Sequence, residues 1–292
     1  MCANYKIVVD STTDLPPYLA EEWGLTVIPF LFTLDGADYY NHLDHHELSL
    51  KDFYNALRDG KTGSTTQVNT FRYIETWEPV LQAGQDILYL CLSSALSKSY
   101  DQSLLAVAEL KEKYPERQII SIDSRSASLG QGALAYYAVQ GRDAGKNLAE
   151  NAAYLEDMIP RFQVWIMADD LHHLRRGGRV SGAQAFLGTM LGVKPILTIF
   201  EDGRIGPVHK VRGRLNALDY FLERMEAQGV DPTGQLIGIA HSDVPEMAEQ
   251  LREMLTAKYG AVEFLVNDIG PVIGMHTGPG TVGMMFLGDV RE

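Results

Sequence analysis

Short apolar runs alternate with segments of helical spacing along this chain, and that alternation limits the fold more than any other feature. "YKIVVD" at 5–10, "DILYLCL" at 86–92 and "RQIISID" at 117–123 read as buried strands. Between and after them, "LSLKDFYNALRDG", "NTFRYIETWEPVLQAG", residues 97–113 and two segments across 128–160 carry apolar residues at helical spacing. "TTDLPPYLAEEW" is predicted as a helix entered through Asp14 and proline and ending at Gly24, and "LTVIPFLFTL" as extended chain. Strands separated by helices imply a parallel sheet covered on both faces.

After Pro160 the pattern restarts. "FQVWIMADD" reads as a strand, and "KPILTIFEDGRIGPVHKVR" as a β-hairpin with an Asp-Gly turn. A helix at 214–228, the strand "QLIGIAHS", a helix at 244–258, and the strands "VEFLVNDI" and "GTVGMMFLG" follow. The expectation is therefore two α/β domains: an N-terminal one over 1–160 with a parallel sheet, and a mixed one over 161–292. Clefts between closely packed domains are common ligand sites.

Several classes of function are disfavoured. The 292 residues carry a formal net charge of −13, which repels nucleic-acid backbones. The two cysteines, Cys2 and Cys91, suit a reducing compartment better than a disulfide framework. No apolar run approaches the roughly 20 residues of a membrane span. The start "MCANYKIVVD" has no basic region and no long apolar segment, so no signal peptide is expected and the chain reads as cytoplasmic.

Ligands of parallel sheets sit beyond the carboxyl ends of the strands. Four polar clusters fall there or nearby: Asp10-Ser11-Thr12-Thr13-Asp14; Thr65-Thr66-Gln67; the serines Ser93, Ser94, Ser97 and Ser99 where strand gives way to helix; and "GMHTGPGTVG", a glycine-rich loop carrying His276. They are rich in hydroxyls and poor in charge of one sign. Phosphate sites favour Lys or Arg and a glycine cradle, whereas one carboxylate can be held by two hydroxyls and a helix start.

"VVDSTTDLP", "TTQV", "SSALSKSY", "DDLHHLRRGGR", "PILTIFEDGRI", "KVRGR" and "GMHTGPGTVG" stand in an order and spacing that resembles the DegV family of bacterial fatty-acid-binding proteins, over nearly the whole chain. The resemblance implies a long-chain fatty acid in a tunnel between two α/β domains, its carboxylate held by Thr65 and Ser97 with His276 in the same network; Thr66 and Ser94, from the same polar clusters, are further candidates for the ligand site. It also implies presentation of the acyl chain to a separate ATP-dependent fatty acid kinase, with no catalysis of the chain's own; no cofactor or metal is expected. Arg212, Arg214 and Lys210 on so acidic a chain read as a docking patch for that kinase, by charge steering. Arg176 or Arg179 could instead bridge the domains.

Other readings compete. Ser97 and His276, with Asp10 or Asp123 orienting the imidazole, would make a hydrolase, although no G-x-S-x-G elbow is present. "NHLDHHE" at 41–47 offers His42, Asp44, His45, His46 and Glu47 for a metal phosphoesterase, but reads first as a solvated polar loop. "GPGTVG" at 278–283 fits G-x-G-x-x-G literally, with no βαβ unit left to follow it.

Overall fold

β1 (Tyr5–Asp10) is an almost wholly buried strand. It lies parallel to β2 (Thr26–Ile28) on one side and to β6 (Asp86–Cys91) on the other, and β7 (Ile119–Asp123) extends the sheet in the order β2-β1-β6-β7. This is the computed structural model of the chain, describing residues 4–169, 171–180, 192–228, 231–260 and 262–291. Cys2, and Asp170 of the "DDLHHLRRGGR" stretch, lie outside the described residues.

The first helix is shorter than its sequence suggests. Ser11–Thr13 form one 3-10 turn, and α1 covers only Pro17–Glu22. Pro17 occupies the first helical position, where a missing N–H costs nothing. The extended run at 25–34 divides at Pro29. Its second part, β3 (Phe30–Leu34), belongs to a separate antiparallel sheet with β4 (Ala37–Asn41) and β5 (Gly63–Thr66), in the order β4-β3-β5. The sequence pattern did not reveal this small sheet, because β4 and β5 are mostly exposed and carry no apolar alternation.

Helices α2 (Leu50–Arg58), α3 (Thr70–Gln82), α4 (Ser99–Lys113), α5 (Leu129–Asp143) and α6 (Leu148–Met158) complete the first half. Asn69 and Asn147 cap α3 and α6 by accepting the backbone N–H three residues on. The pairs α3/α4 and α5/α6 pack on the four-stranded sheet.

The second half is a six-stranded mixed sheet, ordered β10-β9-β8-β13-β11-β12. Its strands are β8 (Phe162–Met167), β9 (Val193–Ile199), β10 (Ile205–Arg212), β11 (Leu236–His241), β12 (Glu263–Asp268) and β13 (Val282–Leu287). Only β11 and β12 run parallel; the other neighbours are antiparallel. The helices are α7 (His172–Gly177), α8 (Arg214–Ala227), α9 (Pro245–Tyr259) and α10 (Pro271–Thr277). Phe221 and Met225 of α8 and Leu251 and Leu255 of α9 bury against this sheet as a second core.

Helix α5 explains why the halves hold together. Eleven of its fifteen residues are buried, the signature of a helix enclosed on all sides. It touches β1 and β6 of one sheet and β11, β12 and β13 of the other. Its glycines permit this: a Cβ on Gly132 would press on the Thr13 carbonyl and the Leu15 side chain.

Candidate functional site

A cavity of about 290 Å³ opens between the two halves, close to the lower edge of the ~300–1,000 Å³ usual for small-molecule pockets. Phe30, Leu92, Leu174, Ile205, Val272 and Ile273 supply its apolar wall. Thr65, Gln67, Ser94, Ser97, Lys98, Arg179, His276 and Thr277 supply its polar side. The sequence singled out Thr65, Ser97, His276 and Ser94, and all four line this one space. It missed the apolar wall, whose residues come from five separate elements and loops with no shared motif.

Thr66 is not on the cavity. It pairs with Leu31 one step along β5 from the Thr65–Phe32 pair, and successive strand residues face opposite ways. Thr66 therefore stands exposed. The cluster from Asp10 to Asp14 is not on the cavity either. All five residues are buried in the fold. The Asp10 carboxylate accepts from Thr12 N, Tyr89 Oη and Leu92 N, each at 3.0 Å, and ties the loops at the ends of β1 and β6 together.

The four serines divide in the same way. Ser93 Oγ donates to Gly203 O at 2.9 Å, joining this loop to the tip of the β9–β10 hairpin. Ser94 Oγ donates to Asp123 Oδ2 at 2.5 Å. Ser99 Oγ accepts from Val68 N at 3.1 Å. Ser97 lies two residues ahead of the first residue of α4, where its Oγ accepts from Ser99 N at 3.2 Å and shares a hydrogen bond with Ser99 Oγ at 2.9 Å. A hydroxyl keeps one donor and two lone pairs, so Ser97 can still bond to a ligand beside the positive end of the helix. Lys98 lines the cavity but is mostly exposed and pairs with Asp101 at 3.2 Å.

His276 sits in the last turn of helix α10, not in a glycine-rich loop. Pro271 opens that helix and Gly278 closes it, while Gly274 inside it lets the helix pass close to Tyr54 and Phe53. His276 Nε2 is 2.8 Å from Thr65 Oγ1. Its Nδ1 is buried without a hydrogen-bond partner among the described residues. Burial, then the charges of Arg179 and Arg176, push its pKa down to about 4, so the ring is neutral at pH 7. A buried N–H without an acceptor costs more than a buried lone pair. The proton therefore belongs on Nε2, which donates to Thr65 Oγ1 and leaves the Thr65 hydrogen for an acceptor in the cavity.

A hydrolytic triad is not assembled. Asp10 is committed to Thr12, Tyr89 and Leu92, and Asp123 to Ser94. No carboxylate among the described residues orients His276 Nδ1. "GPGTVG" leads from α10 straight into β13, and Gly280 serves the close approach of Asp169 and Arg214. It is not a nucleotide-binding turn. Among the described residues, one group has metal-ligand spacing, His42, His46 and Glu47, and none of these lines the cavity.

The basic residues differ from one another. Arg214 donates to Asp169 Oδ1 from Nη2 at 2.8 Å, and Lys194 binds the same oxygen at 2.6 Å. Although burial opposes it, these bonds hold the Asp169 carboxyl below its ordinary value. Arg214 is thus engaged within the fold, whereas Arg212 and Lys210 are exposed on β10. Arg179 reaches across the halves, its Nε 3.4 Å from Leu96 O. No helix among the described residues is long and apolar enough to cross a membrane.

Comparison with known proteins agrees with this architecture. The family model described as "Uncharacterised protein, DegV family" matches residues 4–289. A DegV domain-containing protein of Clostridium perfringens is 41% identical over 289 residues, covering 99% of each chain. Two solved structures superpose over 98% of this chain. One, titled as fatty acid binding of a DegV family protein from Thermus thermophilus, has a TM-score of 0.87 at 32% identity and is covered over 99% of its length. The other, titled as DegV, a fatty acid binding protein from Bacillus subtilis, has a TM-score of 0.84 at 29% identity and is covered over its whole length. With the match running from one end of the fold to the other, the chain belongs to the DegV family.

Proposed function

We propose that this chain binds a long-chain fatty acid between domains 1–160 and 161–292 and presents it to a separate ATP-dependent kinase. The observation that carries the reading is the 2.8 Å bond between Thr65 and a neutral His276 on a cavity that Ser97 also lines. That arrangement supplies hydroxyl donors next to an apolar wall, in the field of Arg179 and Arg176. The guanidiniums that help push His276 toward neutrality are the same ones that favour a bound carboxylate. The fatty acids named for the Thermus and Bacillus relatives support the choice of ligand.

The energetics suit a weakly charged head site. A buried methylene is worth about 0.8 kcal/mol, so roughly 14 of them contribute about 11 kcal/mol gross. Each hydrogen bond to a charged group adds about 1.5–3 kcal/mol before desolvation. The tail supplies most of the affinity, while Thr65 and Ser97 orient the head. The kinase, docking in part on Arg212, would transfer a phosphoryl group to the carboxylate, and the carrier itself would do no chemistry.

Native mass spectrometry of the purified chain tests the proposal. A retained species with the mass of a long-chain fatty acid, lost on delipidation and restored by added fatty acid, is the expected result. A delipidated chain that takes up no fatty acid would overturn it.

A further inference from the structure

We propose that His42, His46 and Glu47 form a three-ligand binding site for a divalent transition metal of the zinc class, outside the interdomain cavity. The residues lie in the connection between β4 and α2. His45 takes a left-handed backbone conformation there (φ 52°), and its N–H donates to His42 O at 3.1 Å. This turn folds the connection back, so that His46 and Glu47 return beside His42. One ligand atom from each residue then lies within 4.8 Å of the other two.

The local geometry suits a metal in three respects. His42 Nε2 and Glu47 Oε1 stand 3.4 Å apart, the edge of a tetrahedron whose corners lie about 2.1 Å from its centre, as zinc requires. The imidazoles of His42 and His46 stack at 4.4 Å with 29° between their planes, so the two rings stand side by side at the turn. His46 is exposed, so an incoming ion can reach its ring.

The surroundings already orient the ligands. His46 Nδ1 bonds to Asp44 Oδ1 at 2.7 Å. That leaves Nε2 as the lone-pair donor, the carboxylate–histidine–metal arrangement that fixes tautomer and ring direction. Glu47 Oε2 accepts from Tyr40 N at 2.6 Å, leaving Oε1 for the ion. Tyr40 in turn is held by Arg72, which donates to its hydroxyl at 3.0 Å. Two imidazoles and one carboxylate are a borderline donor set that prefers zinc-class ions to calcium or magnesium. Water would complete the fourth position, and the metal would pin the β4–α2 connection.

Isothermal titration of the tag-free chain, stripped with chelator, with Zn²⁺ tests this directly. The expected result is saturable binding of one ion per chain, with no comparable uptake of Ca²⁺. Affinity should fall at least tenfold in His42→Ala and in Glu47→Gln, and 10–100-fold in Asp44→Asn, which removes only the orienting carboxylate. Zn²⁺ should also raise the melting temperature of the wild type and not of His42→Ala, with matching circular dichroism showing that the variants fold. Absence of saturable Zn²⁺ binding to the wild type, or binding that survives all three substitutions unchanged, would overturn the assignment.

Discussion

Gly177, the last residue of α7, packs its Cα directly against the His276 imidazole, and a Cβ there would overlap Nδ1. The same contact encloses the unpartnered Nδ1 and holds Nε2 against Thr65. Gly177→Ala should therefore either rotate the ring away from Thr65 or push α7 and α10 apart. Overpacking of this kind typically costs about 1–3 kcal/mol. A lower melting temperature together with weaker fatty-acid binding is expected. Unchanged values for both would show that the packing at Gly177 does not set the His276 position.

Loss of the head-site hydroxyl on Ser97 should weaken binding by about 1–3 kcal/mol while leaving the fold intact, because it removes a bond to a charged group and creates little void. A fluorescent fatty-acid titration of Ser97→Ala reads this directly. His276→Ala should weaken retention more modestly, since the ring acts through Thr65. The wild type should hydrolyse no ester or phosphoester above background. Esterase activity that disappears in both variants would replace the carrier with an enzyme.

Arg212→Glu should leave fatty-acid affinity unchanged and slow acyl-phosphate formation by a cognate kinase. Arg212 is exposed on β10, whereas neighbouring Arg214 is bound to Asp169. Arg214→Glu should accordingly lower stability as well, by placing a second carboxylate beside the first. Kinase turnover that is indifferent to Arg212→Glu would remove this surface from the docking site.

Two buried groups should shape stability against pH in opposite senses. His276 titrates near 4 in the fold, well below the 6.5 of a free histidine, because burial and then Arg179 and Arg176 oppose its charge. The unfolded chain takes up this proton first, so stability should fall as pH drops from about 6.5 to 4. Asp14 is raised to about 8, chiefly by burial, against the opposing bond from Ser128. Its contribution is fully present below about 3.8 and is lost as pH rises toward 8. Asp14→Asn keeps the shape and tolerates the left-handed backbone found there (φ 51°). Chemical denaturation at pH 8 should show the variant more stable than wild type, with the difference shrinking toward pH 4. A variant less stable at pH 8 would mean that the carboxylate is ionised and bonded in the fold.

Much of the architecture was legible in the residues themselves. β1 was read at its observed bounds, and β6 and β7 nearly so, because strands of a covered parallel sheet are runs of apolar side chains, almost wholly buried in β1 and β6 and less so in β7 at the edge. The β9–β10 hairpin was equally plain from its Asp-Gly turn. Thr65, Ser97, Ser94 and His276 could be named because hydroxyls and an imidazole collect where strands end, and because their motifs stand in family order.

What only the tertiary structure decided is how those residues meet. "GSTT" has no strand pattern, and it becomes β5 through its pairing with β3, which turns Thr65 inward and Thr66 out. "GMHTGPG" reads as a loop because of its glycines, yet its first four residues end helix α10, and Gly274 is there so that the helix can pass Tyr54. Thr65 and His276 are 211 residues apart, and no local preference links them. Their bond exists because α10 packs on β3, β5 and α7. Side-chain direction on a strand or helix is local, whereas the partner it points at is supplied by packing that spans the whole chain.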